Sequence, residues 1–280
     1  MKKNFLYFLQ KLAENKTLAS FFIRKLFRES KYLSIENLLK LNALVRPPYA
    51  YCAYNSALLA KKLSYNRISF IEFGVAKGNG LLYLENLADR IEKELNIEVE
   101  IYGFDTGKGL IKSSDYRDLP YFFQGGMYKM DVDALKDKLK RSKLILGDVE
   151  NTVKNFFTNN NPAIIAAIFN DLDYYSSTIN SFKIFDTNIE NFLPRVFCYF
   201  DDVVGSAEEM YTEYSGELLA IAEFNKLHSD KKISLNKNLQ HLDISWRNQI
   251  YYLHNFNHPN YNKFIDPKEQ IDINKSISLK

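Results

Sequence analysis

By residue type and spacing, four aspartates are the best candidates for chemistry in this chain. Asp171 and Asp173 follow the apolar run Ala163 to Phe169, and Asp201 and Asp202 follow Arg195 to Phe200. If both runs are strands, residues two apart at an extended strand end project the same way, so Asp171 and Asp173 face one cleft. Neighbouring strands lie about 5 Å apart, which would bring up to four carboxylates together. Like charges that close raise one another's pKa unless a cation sits among them. An all-oxygen donor set suits Mg²⁺, Mn²⁺ or Ca²⁺ better than zinc or copper. Capping of the next helix or loop is the plainer role for any single aspartate; the cluster favours a site.

A second constellation is Ile68 to Gly80, ISFIEFGVAKGNG, where a β-branched and aromatic run breaks into Gly74, Gly78 and Gly80. Apolar residues then recur at Leu81, Leu84, Leu87, Ala88, Ile91 and Leu95, a helical spacing. Strand, glycine turn and helix in that order form the first unit of a nucleotide-binding sheet. The turn alone does not choose the nucleotide. Short-chain dehydrogenases use similar glycines but need a later Tyr-x-x-x-Lys pair to move a proton, and here the only such pair, Tyr7 and Lys11, precedes the turn. A phosphate-binding P-loop is excluded because no Gly-Lys-Ser or Gly-Lys-Thr is present in the turn. Glu72, two residues before Gly74, disfavours a pyrophosphate and suits the cationic, amine-bearing end of S-adenosylmethionine (SAM). A nicotinamide cofactor, another nucleotide and a purely structural turn are the remaining alternatives. Asp105, closing the run Val99 to Phe104, stands about where a ribose-binding carboxylate is needed. Asn170, at the end of the fourth run, is placed with the cofactor residues.

Positioning these groups requires a mostly parallel sheet covered on both faces, with ligands at the carboxyl ends of its strands. Further strands are expected at Lys143 to Leu146, Lys232 to Leu235 and Gln249 to Leu253. Helices are expected around Asp131 to Arg141, Val149 to Phe157 and Glu217 to Leu227. Residues 1–66 read as a helical extension: Phe5 to Leu12, Leu18 to Leu26 and Ile35 to Leu44, with Pro47 and Pro48 closing the series, then Tyr49 to Lys62. Packing or a homo-oligomer surface is the expected role of this extension, with a share in the substrate pocket as the alternative. The SAM-binding domain is expected over 67–256, and 257–280 reads as an irregular tail. The Gly-, Tyr- and Phe-rich segment Thr106 to Asp131 is long enough to be a mobile cover over the active site, an ordered connection with no role in chemistry being the alternative.

The 280 residues hold one large domain, and the net charge of +3 gives no case for nucleic acid or a membrane surface. The two cysteines, Cys52 and Cys198, have no metal-binding spacing, so a reduced, cytoplasmic protein is expected. FLYFL near the start is too short for a signal-peptide core.

The pieces IEFGVAKGNG, IYGFDTGKGL, LILGDVENTV, NDLDYYSST and YFDD, spread over residues 68–204, together resemble the macrocin-type O-methyltransferases. That resemblance implies a Rossmann-like, seven-stranded class I methyltransferase sheet and metal-assisted methylation of a hydroxyl on a sugar or similar polyhydroxylated small molecule. It implies Mg²⁺ on Asp171, Asp201 and Asp202, with Asp173 as general base. Asp105 would hold the ribose, and Gly147 and Asp148 would lie near the adenine. Phe192, Leu193, Pro194 and Arg195 stand where the family has a Pro-Gly-Gly turn before its fifth strand, and residues after Gly205 match nothing in it. Methylation of nitrogen or phosphate oxygen, and a non-catalytic partner subunit that keeps the fold, are the competing readings.

Overall fold

The computed structural model describes residues 18–278; the helix expected over Phe5 to Leu12 lies outside them. Five strands run parallel: β1 (Arg67–Phe73), β2 (Glu98–Asp105), β3 (Lys143–Leu146), β4 (Ile164–Asn170) and β5 (Phe192–Phe200). Two more, β6 (Lys231–Leu235) and β7 (Ile250–Asn255), pair antiparallel, and β7 joins the sheet antiparallel to β5. The order is β3-β2-β1-β4-β5-β7-β6. This is the Rossmann-like, mostly parallel seven-stranded sheet that the sequence leads one to expect. Every residue of β1 after Arg67 is buried, as expected of a parallel strand covered on both faces. Chain order reverses between β1 and β4, so the loops leaving these two strands open a crevice at their carboxyl ends.

Before the sheet come α1 (Leu18–Phe27), α2 (Ile35–Lys40) and α3 (Pro47–Lys62). The two prolines do more than end the preceding helices. They occupy the first positions of α3, where a missing N–H costs nothing and the fixed φ already suits a helix. Ala50, Ala53, Ala57 and Ala60 fall on one face of α3 and are fully buried, so the helix lies close against the sheet. The core is therefore continuous across the boundary expected at residue 66.

After β1 runs α4 (Asn79–Leu95), buried through Leu81, Leu84, Leu87, Ala88 and Ile91. The charged helix expected to reach Arg141 is only α5 (Val132–Lys136). The Glu85 carboxylate takes the backbone N–H groups of Lys140, Arg141 and Ser142 at 2.8–3.1 Å, and those amides are lost to any helix. Asn155 splits the next expected helix into α6 (Val149–Lys154) and α7 (Phe156–Asn160). α8 (Tyr175–Ser181) follows β4 and α9 (Gly216–Leu227) follows β5. Phe192 to Arg195 belong to β5 itself, with Pro194 at a register shift where no ladder bond is required of it. The tail expected to be irregular contains α10 (Pro267–Ser278). Among the described residues no helix is long and apolar enough to cross a membrane.

The strand ends are tied to one another rather than merely adjacent. Gly74 N–H donates to Phe104 O (2.9 Å), Gly147 N–H to Asp105 O (2.9 Å), Asp171 N–H to Phe73 O (2.9 Å) and Asp201 N–H to Asn170 O (3.0 Å). Each post-strand loop is thus held by the neighbouring strand, and the side chains that follow inherit that registration.

Candidate active site

The crevice is a cavity of about 480 Å³, in the range of small-molecule sites. The glycine turn lines part of it. Gly74 has φ +83°, and a Cβ there would lie 1.7 Å from the Asp171 carbonyl oxygen, so only glycine lets the β1 and β4 loops approach this closely. Gly80 opens α4, and a Cβ on it would come within 1.8 Å of Glu72 Oε1. Glu72 is 1% exposed. Its Oε1 accepts from Tyr49 Oη at 2.8 Å, while Oε2 is buried with no hydrogen-bond partner. Burial pushes its carboxyl up to about 8, against the pull of the Tyr49 hydrogen bond and the Arg46 charge. A buried acid with one free oxygen over a glycine-lined floor fits an ammonium-bearing ligand such as SAM.

Asp105 lines the cavity, yet its carboxylate also closes the turn, accepting from Val75 N (3.0 Å), Ala76 N (2.9 Å) and Gly107 N (2.6 Å). Gly147 and Asp148 line the same wall, and Asp148 caps α6 by accepting from Glu150 N at 2.8 Å. Two expected cofactor residues stand elsewhere. Gly78 is the N-cap of α4 at φ +81° and faces Leu135, whose Cδ1 would be 2.2 Å from a Cβ on it. Asn170 is 1% exposed and donates to Tyr199 O at 3.2 Å, outside the cavity lining.

Asp171, Asp173, Asp201, Asp202 and Glu209 line the same cavity, with Asp171 directly beside the glycine turn. Adjacency of β4 and β5 brings them there, as the two apolar runs suggest. Asp173 does not sit on an extended strand end, however: it adopts φ +59°, a left-handed conformation that Asp and Asn tolerate better than most residues. Its backbone N–H donates to Asp202 Oδ2 at 2.8 Å. Asp202 Oδ1 accepts from Tyr211 Oη at 3.0 Å, and Asp202 N–H donates to the buried carboxylate of Glu217 at 3.0 Å. Asp201 Oδ1 accepts from the Tyr199 hydroxyl and from Gln249 Nε2. Desolvation, then the neighbouring carboxylates, raises Asp173 to about 9 and Asp202 to about 7, and pushes Asp171 well above the ordinary carboxylate range.

Hard oxygen donors under mutual repulsion suit a divalent cation chemically. Their arrangement does not supply one ligand set. Among the described residues no three Asp, Glu, His or Cys side chains stand close enough together to hold a metal ion. Asp171, Asp201 and Asp202, expected as Mg²⁺ ligands, all line the cavity, but not as such a ready-made group. Both oxygens of Asp202 accept from protein donors, the Asp173 amide and Tyr211, and Oδ1 of Asp201 accepts from Tyr199 and Gln249.

Several site residues carry no motif and were invisible in the sequence. Tyr49 reaches Glu72 from α3, and Arg46 lines the cavity from the residue before it. Tyr128, Phe123, Leu110 and Ile111 line it from the 106–131 segment. That segment is ordered by its own bonds: Leu110 N–H to Met127 O (2.9 Å), Gly126 N–H to Leu110 O (2.7 Å), and a small apolar cluster of Leu119, Phe123 and Tyr174. Asp118, 2% exposed, fastens it to α8 by accepting from Ser176 N (2.8 Å), Ser176 Oγ (3.0 Å) and Ser113 Oγ (2.6 Å). The only sequence signal for these residues was the unusual length and aromatic content of the segment.

No family model and no curated protein matches the chain. Solved structures do align with it. CalS11, a calicheamicin methyltransferase, is 21% identical over 90% of this chain and 91% of its own, with a TM-score of 0.49. The plantazolicin methyltransferase BpumL in complex with SAH is 14% identical over 90% and 96%, with a TM-score of 0.35. A third, cmcI-D160 with Mg-SAM, is 13% identical over 72% and 71%, with a TM-score of 0.39. Likenesses this distant say nothing about substrate or catalytic residues.

Proposed function

We propose that this protein is a SAM-dependent O-methyltransferase acting on a hydroxyl of a sugar or similar polyhydroxylated small molecule, with Asp173 as general base. The observation that carries the reading is one cavity that holds two kinds of group: the free oxygen of buried Glu72 beside the glycine turn, and the carboxylates of Asp171, Asp173, Asp201 and Asp202. Bound SAM supplies a methyl group on a sulfonium; the carbon–sulfur bond breaks as the oxygen–carbon bond forms, and the acceptor's proton passes to an Asp173 carboxylate oxygen. An alcohol is a poor nucleophile until that proton leaves; Asp173 accepts it in its ionised form, which in the ligand-free protein is the minor form below pH about 9 but a stronger base than an ordinary carboxylate. Leu110, Ile111, Phe123 and Tyr128 exclude water and orient the acceptor's apolar face. Mg²⁺ on Asp171, Asp201 and Asp202 is the assisted form of this reading. Those three carboxylates would hold the ion and it would lower the pKa of the acceptor hydroxyl; no step above depends on it.

Calorimetric titration of SAM into the wild type and Asp173→Asn tests the donor. Turnover on a panel of hydroxylated acceptors, with and without the substitution, tests the base. The reading requires SAM binding to both proteins and methyl transfer by the wild type alone; a wild type that does not bind SAM ends it. Titration of Mg²⁺ into the wild type and Asp201→Asn tests the assisted form, which is abandoned if the two isotherms are the same.

A further inference from the structure

An α-amino acid carries both charges on substituents of a single carbon, so a site for one must place an anion and a cation side by side. The cavity does this at one place. Its cationic lining residues are Arg46 and Lys77: Lys77 belongs to the glycine turn, and Arg46 lies against Tyr49, which bonds Glu72. Lys77 is exposed on the turn, whereas Arg46 is half-buried. The Arg46 guanidinium lies 5.1 Å from the centroid of the Tyr49 ring, and the Tyr49 hydroxyl bonds Glu72 at 2.8 Å. Tyr49 is itself fixed by stacking on Phe169, with centroids 4.6 Å apart. The Arg46 backbone is set by its place before Pro47 and Pro48, as N-cap of α3.

Two groups in this corner have unused capacity. Glu72 Oε2 is buried without a partner. Among the described residues, the Arg46 guanidinium makes a cation–π contact but no hydrogen bond or ion pair. A partly desolvated guanidinium offers five donors in a fixed fork that matches a carboxylate.

We infer that Arg46 anchors the carboxylate of the amino-acid end of SAM, beside Glu72, which takes its ammonium. The inference rests on the SAM reading above. It makes the residue before α3 part of the cofactor site, and it assigns the helices ahead of the sheet a share in binding. The two-point hold fixes the direction of the methionine arm, and through it the sulfonium, relative to the Asp173 carboxylate.

The test compares two adenosine thioethers by calorimetry on the whole chain. S-adenosylhomocysteine keeps the amino acid, and 5′-methylthioadenosine lacks it. With the wild type, S-adenosylhomocysteine binds more tightly than 5′-methylthioadenosine. Arg46→Gln weakens the former by roughly 10- to 100-fold, the loss of a charge-assisted carboxylate contact, and leaves the latter unchanged. Arg46→Lys restores part of the difference. Equal losses for both ligands in Arg46→Gln, or no loss for S-adenosylhomocysteine, overturn the inference. So does the same selective loss appearing in Lys77→Gln instead. A higher KM for acceptor with unchanged S-adenosylhomocysteine affinity places Arg46 on the acceptor and also overturns it. A wild type that binds neither thioether refutes the SAM reading itself, a result distinct from all of these.

Discussion

Replacing Asp173 by asparagine should abolish methyl transfer and, in the ligand-free protein, raise stability by an amount that grows with pH. The substitution is well controlled: asparagine is isosteric, tolerates the left-handed backbone at φ +59°, and keeps the backbone N–H that Asp202 accepts. The sign follows from linkage. Asp173 titrates near 3.8 when unfolded and near 9 when folded. Between those values the folded chain holds a proton that the unfolded chain has released, so stability falls as pH rises across that window. The gap from 3.8 to a working pH of about 7.5 corresponds to roughly 5 kcal/mol, an upper bound because Asp202 shares the same repulsion. A buried asparagine amide without a full set of partners returns about 1–3 kcal/mol. A net gain of at most about 2–4 kcal/mol remains, or roughly 4–16 °C in Tm for a chain of this size. At pH near 5 the linkage contribution shrinks to about the cost of the amide and the two proteins should melt together. The assay is thermal unfolding of both proteins with a chelator present, from pH 5 to 9. A Tm difference independent of pH, or a less stable variant at pH 8.5, would refute the account of the carboxylate wall.

Gly74→Ala should cost roughly 2–5 kcal/mol in urea unfolding, because the new Cβ meets the Asp171 carbonyl and alanine disfavours φ +83°; wild-type stability would contradict the close approach of the two loops. Gly80→Ala should fold, since alanine favours a helix, yet lose SAM affinity as Glu72 is displaced from its seat; unchanged affinity in a titration would separate Glu72 from the cofactor. Asp118→Ala leaves Ser113 and Ser176 without their shared acceptor, so limited proteolysis should cut within 106–131 faster than in the wild type. Equal cutting rates would mean that the loop is held by its apolar cluster alone.

The sheet was legible in the sequence because each central strand is a continuous apolar run, and such runs are what a parallel sheet covered on both faces requires. The glycines and the strand-end acids were legible for the same reason: they interrupt those runs at the carboxyl ends. Finer boundaries were not. The helix at 131–141 was shortened by a carboxylate 55 residues or more upstream in the chain, and Phe192 to Arg195 turned out to be strand.

Which residues share the cavity was decided only by the tertiary structure. Sequence placed Asp171, Asp173, Asp201 and Asp202 at two strand ends; the adjacency of β4 and β5 put them in one cavity. Hydrogen bonds from Tyr199, Tyr211, Gln249 and the Asp173 amide then fixed the carboxylates of Asp201 and Asp202. Sequence likewise read Arg46 and Tyr49 as part of an extension, because they precede the first strand and belong to no motif. Packing of a helix with one face of alanines onto the sheet carries both to Glu72. Local patterning determines which strands form and where they end, since burial periodicity is a property of neighbouring residues. The orientation of a carboxylate depends on donors far away in the chain, and only the folded arrangement specifies those.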